Sequence, residues 1–157
     1  MFISQSVAQL LDKRNVNLEI VAHPRTSGAA DAAASAHVPL TRTAKAVLLY
    51  SADDYVLAVI PANARVDRHA LEDLMHEAPL WLADEEDFPY IFRDCALGAV
   101  PPVGEAFGIR TAVDDTLLER GDVFFEGGDH EHLIHVSGAD FRRLMEAVPH
   151  GHFCYEA

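Results

Sequence analysis

Two apolar runs separated by a four-residue break constrain this chain more than any other feature. Ala46 to Tyr50 and Tyr55 to Ile60 each have strand length, and Ser51-Ala52-Asp53-Asp54 between them is polar and short, which predicts a central hairpin at the heart of a sheet. Helical and strand periods alternate around it. Ile3, Val7, Leu10 and Leu11 have helical spacing, and Val16, Leu18 and Ile20 then alternate as a first strand ending near His23-Pro24. Thr26 or Ser27 is positioned to cap an alanine-rich helix over Ala29 to Ala36, closed by Pro39. Asp67 caps a helix carrying Leu71, Leu74 and Met75, Leu80 to Leu82 reads as a short strand, and Asp84 opens an acidic helical turn. Ile109 to Val113, Val123 to Phe125 and Leu133 to Val136 are further strands. Ser137 and Asp140 then start a helix with Phe141, Leu144, Met145 and Val148 along one face. The class is mixed α/β. With no repeat and no linker-like tract, 1–157 reads as one domain, and 149–157 as a C-terminal extension at the surface.

Charge narrows the partners. Against 12 basic residues stand 25 acidic ones, a net charge of −13, so most of the surface repels a phosphate backbone. Broad nucleic-acid binding is excluded, whereas a few terminal nucleotides entering one local basic pocket are not. No apolar run reaches the roughly 18 residues that span a bilayer, and no signal-like segment stands at the start, so a cytoplasmic protein without a membrane partner is expected. The two cysteines, Cys95 and Cys154, have no CxxC spacing and form neither a disulfide framework nor a zinc finger pattern.

Several residues are able to carry chemistry, each with a plainer reading beside it. Lys45 precedes the buried strand Ala46 to Tyr50. A cation there, beside low-dielectric walls, holds a phosphate, carboxylate or polarised carbonyl strongly, or else the side chain simply reaches out to solvent. Gly98-Ala99-Val100-Pro101-Pro102-Val103-Gly104 is a stiff loop able to present the amides of Gly98, Ala99 and Val100 to an ester carbonyl or its oxyanion, and equally able to be a structural turn. His23 and Asp114 both end strands and are expected to project into a shared cleft, the alternatives being a satisfied histidine and a turn cap. The run Gly127-Gly128-Asp129-His130-Glu131-His132, followed by His135, is the most metal-like segment. On a strand, however, His135 faces away from His132, so at most two ligands share a side, and no bound metal is expected. Cys95 has no local base and reads as a buried bystander. No Gly-x-Ser-x-Gly elbow, Rossmann fingerprint or P-loop is present.

Taken in order, His23-Pro24, Thr43-Ala44-Lys45-Ala46-Val47-Leu48-Leu49, Tyr55 to Pro61, Gly98 to Gly104, Val113-Asp114 and Gly127-Gly128 resemble the YbaK/EbsC family, the prolyl-tRNA-synthetase-associated domain, over about residues 10 to 145. The resemblance implies a single-domain α/β fold, a mixed and mostly antiparallel sheet with peripheral helices. It also implies hydrolysis of a mischarged aminoacyl ester by a free-standing editing sieve, which supplies the discrimination that a synthetic site cannot reach by binding alone. It assigns Lys45 to holding the terminal adenosine or its phosphate, and sets the Gly98 loop beside the carbonyl with water as nucleophile. His132, or His130 in the alternative register, then helps to place the amino acid. The candidate set is therefore Lys45 and Gly98 for catalysis, and His23, Thr26, Ala99, Val100, Pro101, Pro102, Gly104, Asp114, Gly128, His130 and His132 for substrate binding, with no metal ligand and no cofactor. The expected partners are the 3′ end of an aminoacyl-tRNA and an aminoacyl-tRNA synthetase such as prolyl-tRNA synthetase. The rival readings are a binding module without turnover and a metal-dependent hydrolase built on Asp129 to His135.

Overall fold

The computed structural model describes residues 3–52, 54–119 and 121–156. Ser4 caps α1 (Gln5–Lys13) by accepting from the Val7 amide, and the helix buries Val7, Leu10 and Leu11. Asn15 then takes φ 55° and the Val16 amide returns to Leu11 O at 2.9 Å, a helix-terminating turn. Val16 therefore belongs to that turn, and the first strand, β1 (Glu19–Ala22), is shorter than the alternation suggests. The alanine-rich helix α2 (Ala29–Ala36) forms as expected, but Gly28 is its N-cap while Ser27 Oγ donates to Asp31. His37, in the left-handed region, ends it before Pro39 is reached.

The two apolar runs become β2 (Thr43–Ser51) and β3 (Asp54–Pro61), paired antiparallel from Ala44↔Pro61 to Ser51↔Asp54. β4 (Ala64–Val66) leads to α3 (Arg68–Met75), capped by Asp67 on the Ala70 amide. β5 (Trp81–Leu82) and the short α4 (Phe88–Ile91) precede the glycine-proline loop. Beyond it come β6 (Arg110–Asp114), α5 (Asp115–Leu118), β7 (Val123–Glu126), β8 (His132–Val136) and α6 (Gly138–Leu144). Ser137 caps α6 by accepting from the Asp140 amide. β9 (His150–Gly151) and β10 (Cys154–Glu156) complete the described chain.

Among the described residues the main sheet runs β1-β8-β7-β2-β3-β6-β9, with β5 added to β2 and a separate β10-β4 pair. It is mixed: β2/β7, β3/β6 and β6/β9 are parallel and the other pairs antiparallel. Strand alternation divides the core. Ala44, Val59, Val113 and Phe125 face α1 and α6, and Leu48 and Leu57 on the same side meet Phe92 and Val100. Leu49, Ala58, Ile60 and Ala112 face α3 with Leu71 and Phe153.

The segment 149–157 corrects the expectation of a surface extension. β9 pairs with β6, β10 pairs with β4, and Phe153 is 1% exposed in the α3 core, a burial worth about 3 kcal/mol. One phenylalanine among histidines and glycines gives no period, so only the tertiary structure reveals its role. No described helix is long and apolar enough to cross a membrane.

Candidate active site

One edge of β2 is left open in the middle of the sheet. β7 pairs with it only at Thr43 and Ala44, and β5 only at Leu49 and Tyr50, so Lys45 to Val47 have no strand partner on that side among the described residues. Helix α2 packs against both β2 and β7 there. The chain enters α2 through residues 23–28, which are tied to the turn before β8: His23 N donates to Glu131 O at 2.9 Å and Thr26 N to His130 O at 3.1 Å.

Gly98 joins this corner. Its φ is +85°, and a Cβ there would stand 2.9 Å from Ser27 O and 3.1 Å from His130 Cε1, so only glycine fits. His130 Nε2 bonds the neighbouring Leu97 carbonyl, and Gly128, at φ +121°, accepts the Ala96 amide at 2.7 Å. The structure thus brings His23, Thr26, Gly98, Gly128 and His130 together.

Three residues of the corner, His23, Thr26 and His130, have buried polar atoms without a partner among the described residues. Among the described residues six buried side-chain atoms have no hydrogen bond. Arg14 Nε is one, and the other five are His23 Nε2, Thr26 Oγ1, His130 Nδ1 and both carboxylate oxygens of Glu126. Each such atom costs about 1–3 kcal/mol when left unpaired, and His23, Thr26 and His130 lie on segments that the His23–Glu131 and Thr26–His130 backbone bonds hold together. Glu126, the last residue of β7, is 2% exposed, and burial, with the Asp129 charge second, pushes it up to about 7. The sequence reading missed Glu126. Its signal was an acid closing an apolar strand just before Gly127-Gly128.

Lys45 shares the sheet face of Val47 and Leu49, opposite Ile60. It is half-buried and its ammonium has no hydrogen bond or ion pair among the described residues, and burial, followed by the Arg65 charge, holds it below the ordinary value against the opposing effect of Cys154. Arg65 on β4 is exposed and likewise has no carboxylate partner among the described residues. Arg65 is the second residue that sequence reasoning passed over.

The rest of the glycine-proline loop is not the open ledge expected of it. The Ala99 amide is spent on Ala96 O at 3.0 Å, and Val100 packs with Leu48, Leu57 and Phe92 on the sheet face opposite Lys45. Pro101, Pro102 and Gly104 are buried, and a Cβ on Gly104 would collide with Thr111 Oγ1. Only Gly98, at the head of the loop, reaches the α2 corner. The prolines and Gly104 wedge the loop in place.

Asp114 does not share a cleft with His23, because β6 and β1 are separated by β3, β2, β7 and β8. It is fully buried and caps α5, accepting from Thr116 N and Oγ1 at 3.0 and 2.7 Å and from Phe153 N at 2.9 Å. Burial works to raise its pKa, yet those hydrogen bonds together hold it low. His152 and Cys154 lie beside it, and the three potential ligand atoms fall within 4.8 Å of one another. This is a metal-capable group, here occupied in bonding the 150–156 segment to β6. The histidines of 130–135 disperse: His130 turns to Leu97 O, His132 Nδ1 pairs with Asp129 at 2.6 Å, and His135 stacks on Phe124 and bonds Asp122 and Glu19. Cys95 is pushed up to about 12 by burial and by Asp94, which removes it as a nucleophile at neutral pH.

The profile of the aminoacyl-tRNA editing domain matches residues 23–144, and the chain belongs to that family. The chain is 27% identical over 124 residues to a proline--tRNA ligase of Thiobacillus denitrificans, covering 78% of this chain and 21%, about a fifth, of that ligase. The hypothetical protein APE2540 superposes with TM-score 0.83 at 24% identity, covering 96% of this chain and all of the other. A protein described as a candidate trans-editing enzyme for prolyl tRNA synthetase superposes with TM-score 0.81 at 22% identity, over 97% and 96% of the two chains. These two likenesses establish the fold.

Proposed function

We propose that this protein is an aminoacyl-tRNA deacylase that acts in trans, hydrolysing the ester of a mischarged tRNA to free amino acid and tRNA. The observation that carries this reading is the polar corner of His23, Thr26, Gly98 and His130 beside the open edge of β2, with Lys45 on that strand and the charge of Arg65, on the separate β4, acting on it. The two cations hold the phosphate and adenosine of the tRNA terminus. Their small number agrees with a surface that otherwise repels the tRNA body. The aminoacyl group lies toward the α2 corner, where Gly98 brings backbone close to the ester, and water is the nucleophile. The neighbouring ribose hydroxyl assists, since Cys95 is protonated and Asp114 is committed elsewhere. The likeness to a proline--tRNA ligase supports a synthetase link and a prolyl-tRNA class of substrate.

The test is a deacylation screen of catalytic amounts of protein against alanyl-, seryl-, threonyl- and cysteinyl-tRNA. Turnover of at least one ester, reduced about 100-fold or more in a folded Lys45→Ala variant, is the expected result. Saturable binding with no release of amino acid from any ester would replace the enzyme with a binding module.

A further inference from the structure

The end of β6 takes no part in the hydrolysis just described, yet it gathers three different ligand chemistries. Among the described residues, Asp114, His152 and Cys154 are the one group of histidine, cysteine and acidic side chains whose ligand atoms all lie within 4.8 Å of one another. Phe153 fixes their arrangement. Its ring is 1% exposed in the α3 core and its amide donates to Asp114 Oδ2 at 2.9 Å, so the residues on either side of it are held against the carboxylate. His152 Nδ1 stands 3.5 Å from that same oxygen. Oδ1 already accepts from Thr116 N and Oγ1, whereas Oδ2 has the Phe153 amide as its one backbone donor. A carboxylate oxygen accepts twice, so Oδ2 keeps a lone pair beside His152. Asp114 is fully buried, and among the described residues its ion-pair partner is His152 alone, which is charged only when protonated. A buried carboxylate with no lysine or arginine paired to it is the kind of charge that a metal ion compensates. A cavity of about 560 Å³ opens beside the group, lined by His152 and Cys154 together with Thr116, Glu119 and Glu156.

We infer that Asp114, His152 and Cys154 bind a zinc ion, with the cavity supplying water to its fourth position. Thiolate, imidazole and carboxylate are zinc ligands, whereas magnesium and calcium take oxygen alone. Bonds of about 2.0–2.3 Å in a tetrahedron set ligand atoms about 3.3–3.8 Å apart. The His152–Asp114 pair already has that spacing, and the remaining separations, none above 4.8 Å, close by about 1 Å or less through small rotations of the His152 and Cys154 side chains. As zinc binds, the Cys154 thiol releases its proton to solvent and a Zn–S bond takes its place. Thiolate and carboxylate then balance the two positive charges of the ion, so the site is neutral and adds little repulsion to Lys45, whose charge reaches Cys154. Thr116 and the Phe153 amide hold the carboxylate in position, the support that a metal ligand needs. Zinc here fastens the C-terminal segment to the end of β6 rather than attacking an ester, so its binding is independent of whether the protein is a deacylase.

The experiment strips the full chain of metal with a chelator, keeps it reduced with a non-thiol reductant, and titrates it with zinc chloride against a chromophoric chelator and separately with cobalt chloride. Stoichiometric zinc uptake and a cobalt–thiolate charge-transfer absorption are expected. His152→Ala should weaken zinc binding about 100-fold or more, beyond the 10–100-fold typical of a residue that only supports a ligand. Because His152 is exposed, this variant should be as stable as the wild type without metal. Zinc at a concentration that saturates the wild type should raise its urea midpoint and leave that of His152→Ala unmoved. Cys154→Ser should abolish the cobalt–thiolate band and Cys95→Ser should keep it. Absence of stoichiometric zinc, a smaller loss in His152→Ala, or a thiolate band that disappears with Cys95 instead overturns the site. Should Cys154→Ser fail to fold, His152→Ala and Cys95→Ser decide the matter by the same two readouts.

Discussion

Replacing Glu126 with glutamine should make the fold more stable at neutral and alkaline pH, and the size follows from its surroundings. Burial and the Asp129 charge bring the carboxyl to about 7 from an ordinary 4.5. Because the folded value lies above the unfolded one, the native state holds the proton more tightly, and its ionisation destabilises the fold. The cost is absent below about pH 4.5, where both states are protonated, and complete above about pH 7, where it amounts to about 3 kcal/mol at 1.36 kcal/mol per tenfold in proton affinity. Roughly 2–3 kcal/mol of it falls between pH 5 and pH 8. Glutamine keeps the shape and carries no titrating proton. Urea unfolding of both proteins at pH 5 and pH 8 isolates the effect, since every other titration is shared and cancels in the double difference. The wild type should lose about 2–3 kcal/mol relative to the variant over that range, and Asp129→Asn should reduce the loss. Parallel pH profiles for wild type and Glu126→Gln would refute the argument, because the carboxyl would then be solvated or paired.

Three further outcomes follow from the geometry. Gly98→Ala places a Cβ against Ser27 O at a positive φ, and should cost about 1–2 kcal/mol in urea unfolding while removing most turnover in the deacylation assay. Asp114→Ala strips the acceptor from the Phe153 and Thr116 amides and should cost about 3 kcal/mol by the same unfolding measurement, whereas His152→Ala, exposed beside it, should stay within about 0.5 kcal/mol. Ser137→Ala uncaps α6 and should lower stability by about 1 kcal/mol without altering kcat/KM.

Much of this architecture was legible because its elements carry their own period or cap. The hairpin Ala46 to Ile60, the helices capped by Asp67 and Ser137, and α2 all appear close to their expected places. Local chemistry decided them. What was illegible depends on sheet order, which no local pattern encodes. His23 and Asp114 end strands in the same manner, but only the order of strands shows that they stand far apart. The loop Gly98 to Gly104 has the composition of an amide ledge, and its burial against Leu48 and Thr111 becomes visible only once the sheet exists. Glu126 looked like one acid among 25, and what distinguishes it is the removal of water on every side.

The knot that binds residues 150–156 to β6 and β4 also sets a time at which the molecule can finish folding. Asp114 receives one of its two backbone donors from Phe153, and Gly151 lies against Leu74, nearly 80 positions earlier in the chain. A nascent polypeptide that has not yet released Phe153 from the ribosome leaves a buried carboxylate half satisfied and one layer of the α3 core uncovered. Synthesis must therefore run past that residue before the domain can close, and until then a chaperone would meet the bare side of the sheet.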